Sequence, residues 1–150
     1  MAYEDKDNLE TITDYAFAGE RSLVSVSMPM LTAIPENCFR GCSALMDVNL
    51  PKVLATNEYS FSYCESIERI KLPELTIMND GSSFYNCTAL KELRLPKNTS
   101  TLEGNKIMMC GALELLDLGV TSEIGAAITG SSWAFLISPV TLFIRISATC

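Results

Sequence analysis

Apolar residues recur along this chain at fixed places, 22 or 23 residues apart. Residues 39–51 (Phe-Arg-Gly-Cys-Ser-Ala-Leu-Met-Asp-Val-Asn-Leu-Pro), 61–73 (Phe-Ser-Tyr-Cys-Glu-Ser-Ile-Glu-Arg-Ile-Lys-Leu-Pro) and 84–96 (Phe-Tyr-Asn-Cys-Thr-Ala-Leu-Lys-Glu-Leu-Arg-Leu-Pro) align without a gap. An earlier copy runs through Phe17, Leu23, Val26, Met28 and Pro29, with Glu20 in the cysteine place. A later copy runs through Ile107, Cys110, Leu113, Leu116 and Leu118, with Gly119 replacing proline. The first positions, 17, 39, 61, 84 and 107, are spaced by 22, 22, 23 and 23 residues. Self-similarity at such a period marks an array of stacked repeats.

Each copy predicts one short strand. In Leu-x-x-Val-x-Leu-Pro the last two apolar residues are two apart and so share a face. The proline then ends the strand, because it has no N–H for a ladder and its φ is fixed. A second, weaker apolar pair follows: Leu31 with Ile34, Leu75 with Met78, Val120 with Ile124. The connecting piece, such as residues 35–39, is too short for more than one helical turn. One copy cannot close a core, but copies stacked with strands about 4.8 Å apart can. The expected fold is an α/β repeat: a strand-dominated solenoid of 22–23-residue coils with a single parallel sheet on its concave face.

The pattern resembles the BspA-like class of leucine-rich repeats. The matching residues are Ala16-Phe17, Phe39 with Cys42, Phe61 with Cys64, Phe84 with Cys87, and the strand-ending prolines 29, 51, 73 and 96. The resemblance covers roughly residues 11–122. It implies a leucine-rich repeat solenoid and binding without chemistry, as in surface-displayed bacterial adhesion proteins and phage tail-associated proteins. It also implies that the concave strand face meets the partner.

The repeat count sets the expected organisation: an acidic N-terminal cap over 1–10, five repeats over 11–122, and a degenerate sixth repeat with a C-terminal cap over 123–150. Glu4, Asp5, Asp7 and Glu10 supply the polar lid. In the last segment Trp133, Leu136 and Pro139 follow the strand pattern, with Ser138 where leucine belongs. Residues 140–146 then read as a β-prone strand. That strand caps the last coil or, as the competing reading, pairs with a second chain and makes the protein an assembly subunit oligomerising through residues 140–150.

Composition narrows the chemistry. The chain has 150 residues, 48% apolar and 19% charged, which suits one well-buried domain and excludes a disordered chain. Eighteen acidic against eleven basic side chains leave a charge of −7, which argues against nucleic acid as a partner. There is no histidine, which removes Ser-His-Asp and Cys-His catalysis and imidazole metal sites. No phosphate loop, GxSxG, HExxH or CxxC occurs, so neither a cofactor nor a metal is expected, nor an enzyme. The opening MAYEDKDNLE has no basic or apolar signal region. Residues 126–146 are apolar but broken by Gly130-Ser131-Ser132, Ser138-Pro139 and Arg145, so no membrane insertion is expected. A soluble chain follows, at the cell surface if it derives from a secreted protein, otherwise cytoplasmic or virion-associated.

Columns of equivalent residues carry the rest. Cys42, Cys64, Cys87 and Cys110 should line up along the solenoid as buried thiols, free cysteine behaving as a small hydrophobe. Only Cys38 with Cys42 is a short pair of the kind zinc uses. Phe17, Phe39, Phe61 and Phe84 should form a core spine. Tyr59, Tyr63 and Tyr85 share no single position and are placed outside the turns. The outward strand positions form two rows across the sheet: Ser25, Asp47, Arg69, Glu92, Leu115 and Ser27, Asn49, Lys71, Arg94, Asp117. Arg69, Lys71 and Arg94 therefore gather in an acidic protein, beside Asp47 and Glu92. They read either as cross-strand ion pairs on a wet face or as a binding patch. The candidate site is Arg69, Lys71, Glu92 and Arg94, with Asp47 and Asn49 at its edge, and the expected partner is a protein or a cell-surface glycan.

Overall fold

The computed structural model of the chain describes residues 1–5, 7–79, 81–99 and 106–119, together with the backbone of 143–147. Its strands are β1 (Ala2–Glu4), β2 (Ser25–Ser27), β3 (Ala33–Ile34), β4 (Asp47–Asn49), β5 (Ala55–Thr56), β6 (Arg69–Lys71), β7 (Ile77–Met78), β8 (Glu92–Leu95), β9 (Leu115–Gly119) and β10 (Phe143–Ser147). Every pairing is parallel, as it must be when each coil returns in the same sense as the one before. This is a strand-dominated solenoid. Turns, with no helix among the described residues, join its strands.

The Leu-x-x-Val-x-Leu strands stack in register. Ser25 sits opposite Asp47, Arg69 opposite Glu92, and Glu92 opposite Leu115. The inward residues Val26, Ile70, Leu93 and Leu116 are buried between their outward neighbours. The weaker apolar pair has its own ladder, β3–β5–β7, which buries Ile34 and Met78 on the far wall. Val120 and Ile124 lie outside the described residues. At the start of the chain β1 lies against β2, and both Asp5 carboxylate oxygens accept main-chain N–H groups, from Asp7 and Leu9. The backbone of β10 pairs with β9, Phe143 opposite Leu115. The rest of 123–150, including Trp133, Leu136, Pro139 and residues 140–142, lies outside the described residues. No helix among the described residues is long and apolar enough to cross a membrane.

Two columns hold the core together. The rings of Phe17, Phe39, Phe61 and Phe84 stack face to face, with centroids 5.4, 5.2 and 5.6 Å apart. Tyr3 closes the near end edge-on at 4.9 Å. The cysteine column does more than fill space. Each thiol donates to the main-chain oxygen of the phenylalanine one coil earlier: Cys42 to Phe17 at 3.0 Å, Cys64 to Phe39 at 3.1 Å, Cys87 to Phe61 at 3.2 Å and Cys110 to Phe84 at 3.0 Å. The residue must therefore be small, apolar enough to bury and still able to donate, which describes cysteine.

A third column was not visible as a pattern of residue types. Two places after each phenylalanine position the backbone turns left-handed, at Gly19, Gly41, Tyr63, Asn86 and Met109, with φ between 57° and 76°. Two places before it, Tyr15, Asn37 and Tyr59 do the same, with φ between 53° and 59°. Tyr59, Tyr63 and Tyr85 share no position, standing two before, two after and one after their phenylalanines. Tyr15 and Tyr59 occupy equivalent places, and Tyr63 stands where other coils use glycine or asparagine. Near the outer turns the Arg40 guanidinium sits 5.5 Å from the Tyr59 ring and 5.9 Å from that of Tyr63, which meets Tyr85 edge-on.

Candidate functional site

The strand face is not one continuous ladder. Its strands form β1–β2–β4 and β6–β8–β9–β10, and no sheet pairing joins β4 to β6. Elsewhere on this face the same main-chain bonds return from coil to coil. Met28 N–H donates to the Asn49 oxygen as Leu72 N–H does to that of Arg94. Met46 and Asp47 both donate to the Val24 oxygen, Lys91 and Glu92 to that of Glu68, Glu114 and Leu115 to that of Lys91. The counterparts from Leu50 to Lys71, and from Glu68 and Arg69 to Met46, are missing. The coils remain joined on their other sides: Ala55 pairs with Ile77, and the turn bonds from Phe39 to Ser60 and from Gly41 to Ser62 are intact. The split is thus local to the strand face.

Over this joint and the neighbouring β2 lies a cleft of about 720 Å³, lined by Ser25, Val26, Ser27, Met46, Asp47, Val48, Asn49, Ser66, Glu68, Arg69 and Lys71. Val48 is only half-buried, whereas its equivalents Val26, Ile70, Leu93 and Leu116 are 2% exposed or less, so the parted strands uncover an apolar strip at the floor. Asp47 and Asn49 project from the β4 wall, and Asn49 donates to the Ser27 hydroxyl at 2.9 Å. Arg69 and Lys71 project from the β6 wall. Their rows would bring Asp47 to Arg69 and Asn49 to Lys71, but the split removes both pairings. Among the described residues no ion pair reaches Asp47 or Lys71.

Glu92 and Arg94 belong to a different arrangement, further along the face. The Arg94 guanidinium bonds the Glu92 carboxylate on its own strand and reaches Asp117 on β9 at 3.3 Å. The hydrogen bond from Arg94 holds the Glu92 carboxyl below the usual carboxylate range. Arg69 comes within 3.6 Å of the same carboxylate from across the ladder, with most of its own side chain in water. Such exposed contacts contribute about 0–1 kcal/mol each, so Arg69 stays free to move. The six candidate residues therefore divide. Arg69, Lys71, Asp47 and Asn49 line the cleft, while Glu92 and Arg94 form a largely neutralised network beside it.

Sequence reasoning did not single out Ser25, Ser27, Met46, Val48, Ser66 and Glu68 as cleft residues. The serines sit in outward or turn positions with no distinguishing signal. Met46 offered at most a weak one: Glu68, Lys91 and Glu114 stand at the equivalent place in later coils, but Val24 is an exposed apolar residue there in the coil before. No chemistry follows from the cysteines. Cys38, Cys42, Cys64, Cys87 and Cys110 are free and buried, and no group of three metal-ligating side chains occurs among the described residues. Burial raises the Cys38 and Cys42 thiols to about 12 and about 11 and lifts Cys64 well above its ordinary value. For Cys87 the hydrogen bond with Cys110 acts first, and burial adds to it. Thiolates, the reactive form, are disfavoured at Cys38, Cys42, Cys64 and Cys87.

Comparison with known proteins agrees with this architecture. The sequence model of the BspA type leucine rich repeat region matches residues 5–126 in six copies. Among solved structures, the Treponema pallidum (T. pallidum) leucine rich repeat protein TpLRR superposes with a TM-score of 0.56 at 24% identity. The match covers 81% of this chain and 64% of that one, and at this identity it bears on the fold. No curated protein sequence matches the chain. With most of its length accounted for by that repeat, the chain belongs to the BspA-type leucine-rich repeat family.

Proposed function

We propose that this protein is a non-catalytic recognition module that binds a protein or cell-surface glycan through its strand face, in the manner of bacterial adhesion or receptor-binding proteins. The family is commonly one of protein-interaction modules, which favours binding over chemistry. The observation that carries the reading is the cleft between β4 and β6. There Lys71, which forms no ion pair among the described residues, and Arg69, largely exposed and in contact with Glu92 at 3.6 Å, stand on one wall, with Asp47 and Asn49 on the other. Charge in a concave site is ready to meet a complementary group when little has to be given up first: Lys71 breaks no ion pair, and Arg69 gives up only an exposed one. Arg94 and Glu92 flank the cleft and, with Asp117, shape the field around it. Enzymic use of the carboxylates is disfavoured: Glu92 is held as an anion, the wrong form for a general acid, and the split separates it from Asp47.

The test is binding of labelled protein to bacterial cells, immobilised matrix proteins and a glycan array, at low and high salt. Saturable, salt-sensitive binding is expected, with a loss of at least about tenfold in the folded Arg69→Glu/Lys71→Glu double variant. Arg94→Glu should weaken binding less, because its charge is already matched by Glu92 and Asp117. Unchanged affinity in a correctly folded double variant would remove the strand face from consideration.

A further inference from the structure

We propose that the occupant of the split is an extended segment of polypeptide, lying along the bare strand edge with an acidic side chain turned towards Arg69 and Lys71. This deepens the recognition reading above and rests on it. The argument begins with the main chain. Leu50, Glu68 and Arg69 bring N–H groups to the split, and Met46 and Lys71 bring carbonyl oxygens, none with the strand partner that its equivalents have in neighbouring coils. Such groups repeat along a strand edge with the spacing of another extended chain, which is the complement that β-strand addition uses.

Room is the next condition. The cavity of about 720 Å³ runs over β2, β4 and β6, and β4 and β6 still approach within 8 Å between Cα atoms, so seating a chain at the strand edge needs the joint to part towards twice the strand spacing of about 4.8 Å. Parting β4 and β6 further breaks no ladder bond, because none joins them. The β5–β7 pairing and the turn bonds behind it keep the coils together meanwhile. Elsewhere on this face the same movement would cost the main-chain bonds of an intact ladder. Entry is therefore directed to this one joint.

Side chains select the class of segment. Beside Glu68, whose carboxylate is matched by Lys91 at 3.1 Å, the β6 wall carries two cations: Lys71, and Arg69 in an exposed contact with Glu92. A carboxylate on the peptide satisfies both, and Arg69 can receive it bidentately. On the opposite wall Asp47, Asn49, Ser25 and Ser27 suit the hydroxyl or amide groups of neighbouring peptide residues. The uncovered Val48 and Met46 offer a small apolar floor for an alternate side chain. A glycan fits less well. Among the described residues no aromatic side chain lines the cleft to stack on the apolar face of a sugar ring.

The probe is a blocked synthetic peptide of alternating Glu and Thr, compared with its Lys-for-Glu counterpart and with sulfated oligosaccharides. Amide hydrogen exchange is followed residue by residue by NMR on the full chain. The acidic peptide at about 1 mM should slow exchange at Leu50, Glu68 or Arg69 by about tenfold, and the Lys counterpart should not. The effect should vanish in Arg69→Glu/Lys71→Glu and persist in Lys97→Glu, a remote exposed lysine whose pairing is with Glu74. Absence of slowing by the acidic peptide overturns the inference. If an oligosaccharide perturbs the strand face instead, the occupant is a glycan and the inference is equally overturned, while strand-face recognition stands. Recognition itself fails separately, when binding to cells and matrix proteins survives the double charge reversal.

Discussion

At the residue scale, the cysteine column turns a weak donor into a repeating fastener. Each thiol is bonded to the phenylalanine carbonyl one coil back, and at Cys42, Cys64 and Cys87 burial or the neighbouring thiol disfavours ionisation. That has a consequence for pH. A thiol raised in the folded state above its ordinary value of 9.0 contributes stability that is complete below pH 9. Above it the unfolded chain ionises first, and the contribution is lost as pH climbs towards 11–12 for Cys42 and Cys38. Urea denaturation should therefore show a falling midpoint between about pH 9 and pH 11, with a shallower fall in Cys64→Ala. A midpoint that does not move across this range would contradict the burial of these thiols. The column was legible from spacing alone, because repetition at one place needs only counting. The role of its S–H was not, since the acceptor lies 25 or 26 residues away and is a main-chain atom. The left-handed places were hidden for another reason. Gly19, Gly41 and Asn86 are residues that tolerate positive φ, but Tyr63 and Met109 take the same conformation and carry no such mark.

At the element scale, the strands are too short to be stable by themselves, and the stacked rings beneath them supply the cohesion. Phe39, Phe61 and Phe84 are fully buried, while Phe17, in the first coil, is only partly buried. Phe61→Ala removes the ring that touches two neighbours in the stack and should cost about 3–5 kcal/mol in urea or thermal unfolding. Phe17→Ala should cost clearly less; equal losses would mean that the stack does not transmit burial from coil to coil. Strand register was readable because proline and the Val-x-Leu pair fix which residues face inward, and the two outward rows follow from the pleat. The gap in the ladder was not readable. Phe39 to Val48 and Phe61 to Ile70 are both nine residues, so the coils on either side of it have the same spacing. The relative tilt of two coils is settled by many packed side chains together, and no single position announces it.

At the scale of the whole molecule, the described coils form a stack with a weak joint on the strand face between β4 and β6, and that joint is where exposed cations, bare main-chain groups and an uncovered valine coincide. The rows of Asp47, Asn49, Arg69, Lys71, Glu92 and Arg94 were traceable from the repeat. Their division into a cleft and a neutralised network depended on where the ladder breaks. The most direct test of this account is native-state hydrogen exchange resolved to single amides in the free protein. The amides of Leu50, Glu68 and Arg69 should exchange much faster than their equivalents Met28, Met46, Asp47, Leu72, Lys91 and Glu92, which have strand partners. Equal protection across all nine would show a continuous ladder, and the cleft, with the recognition built on it, would have no basis.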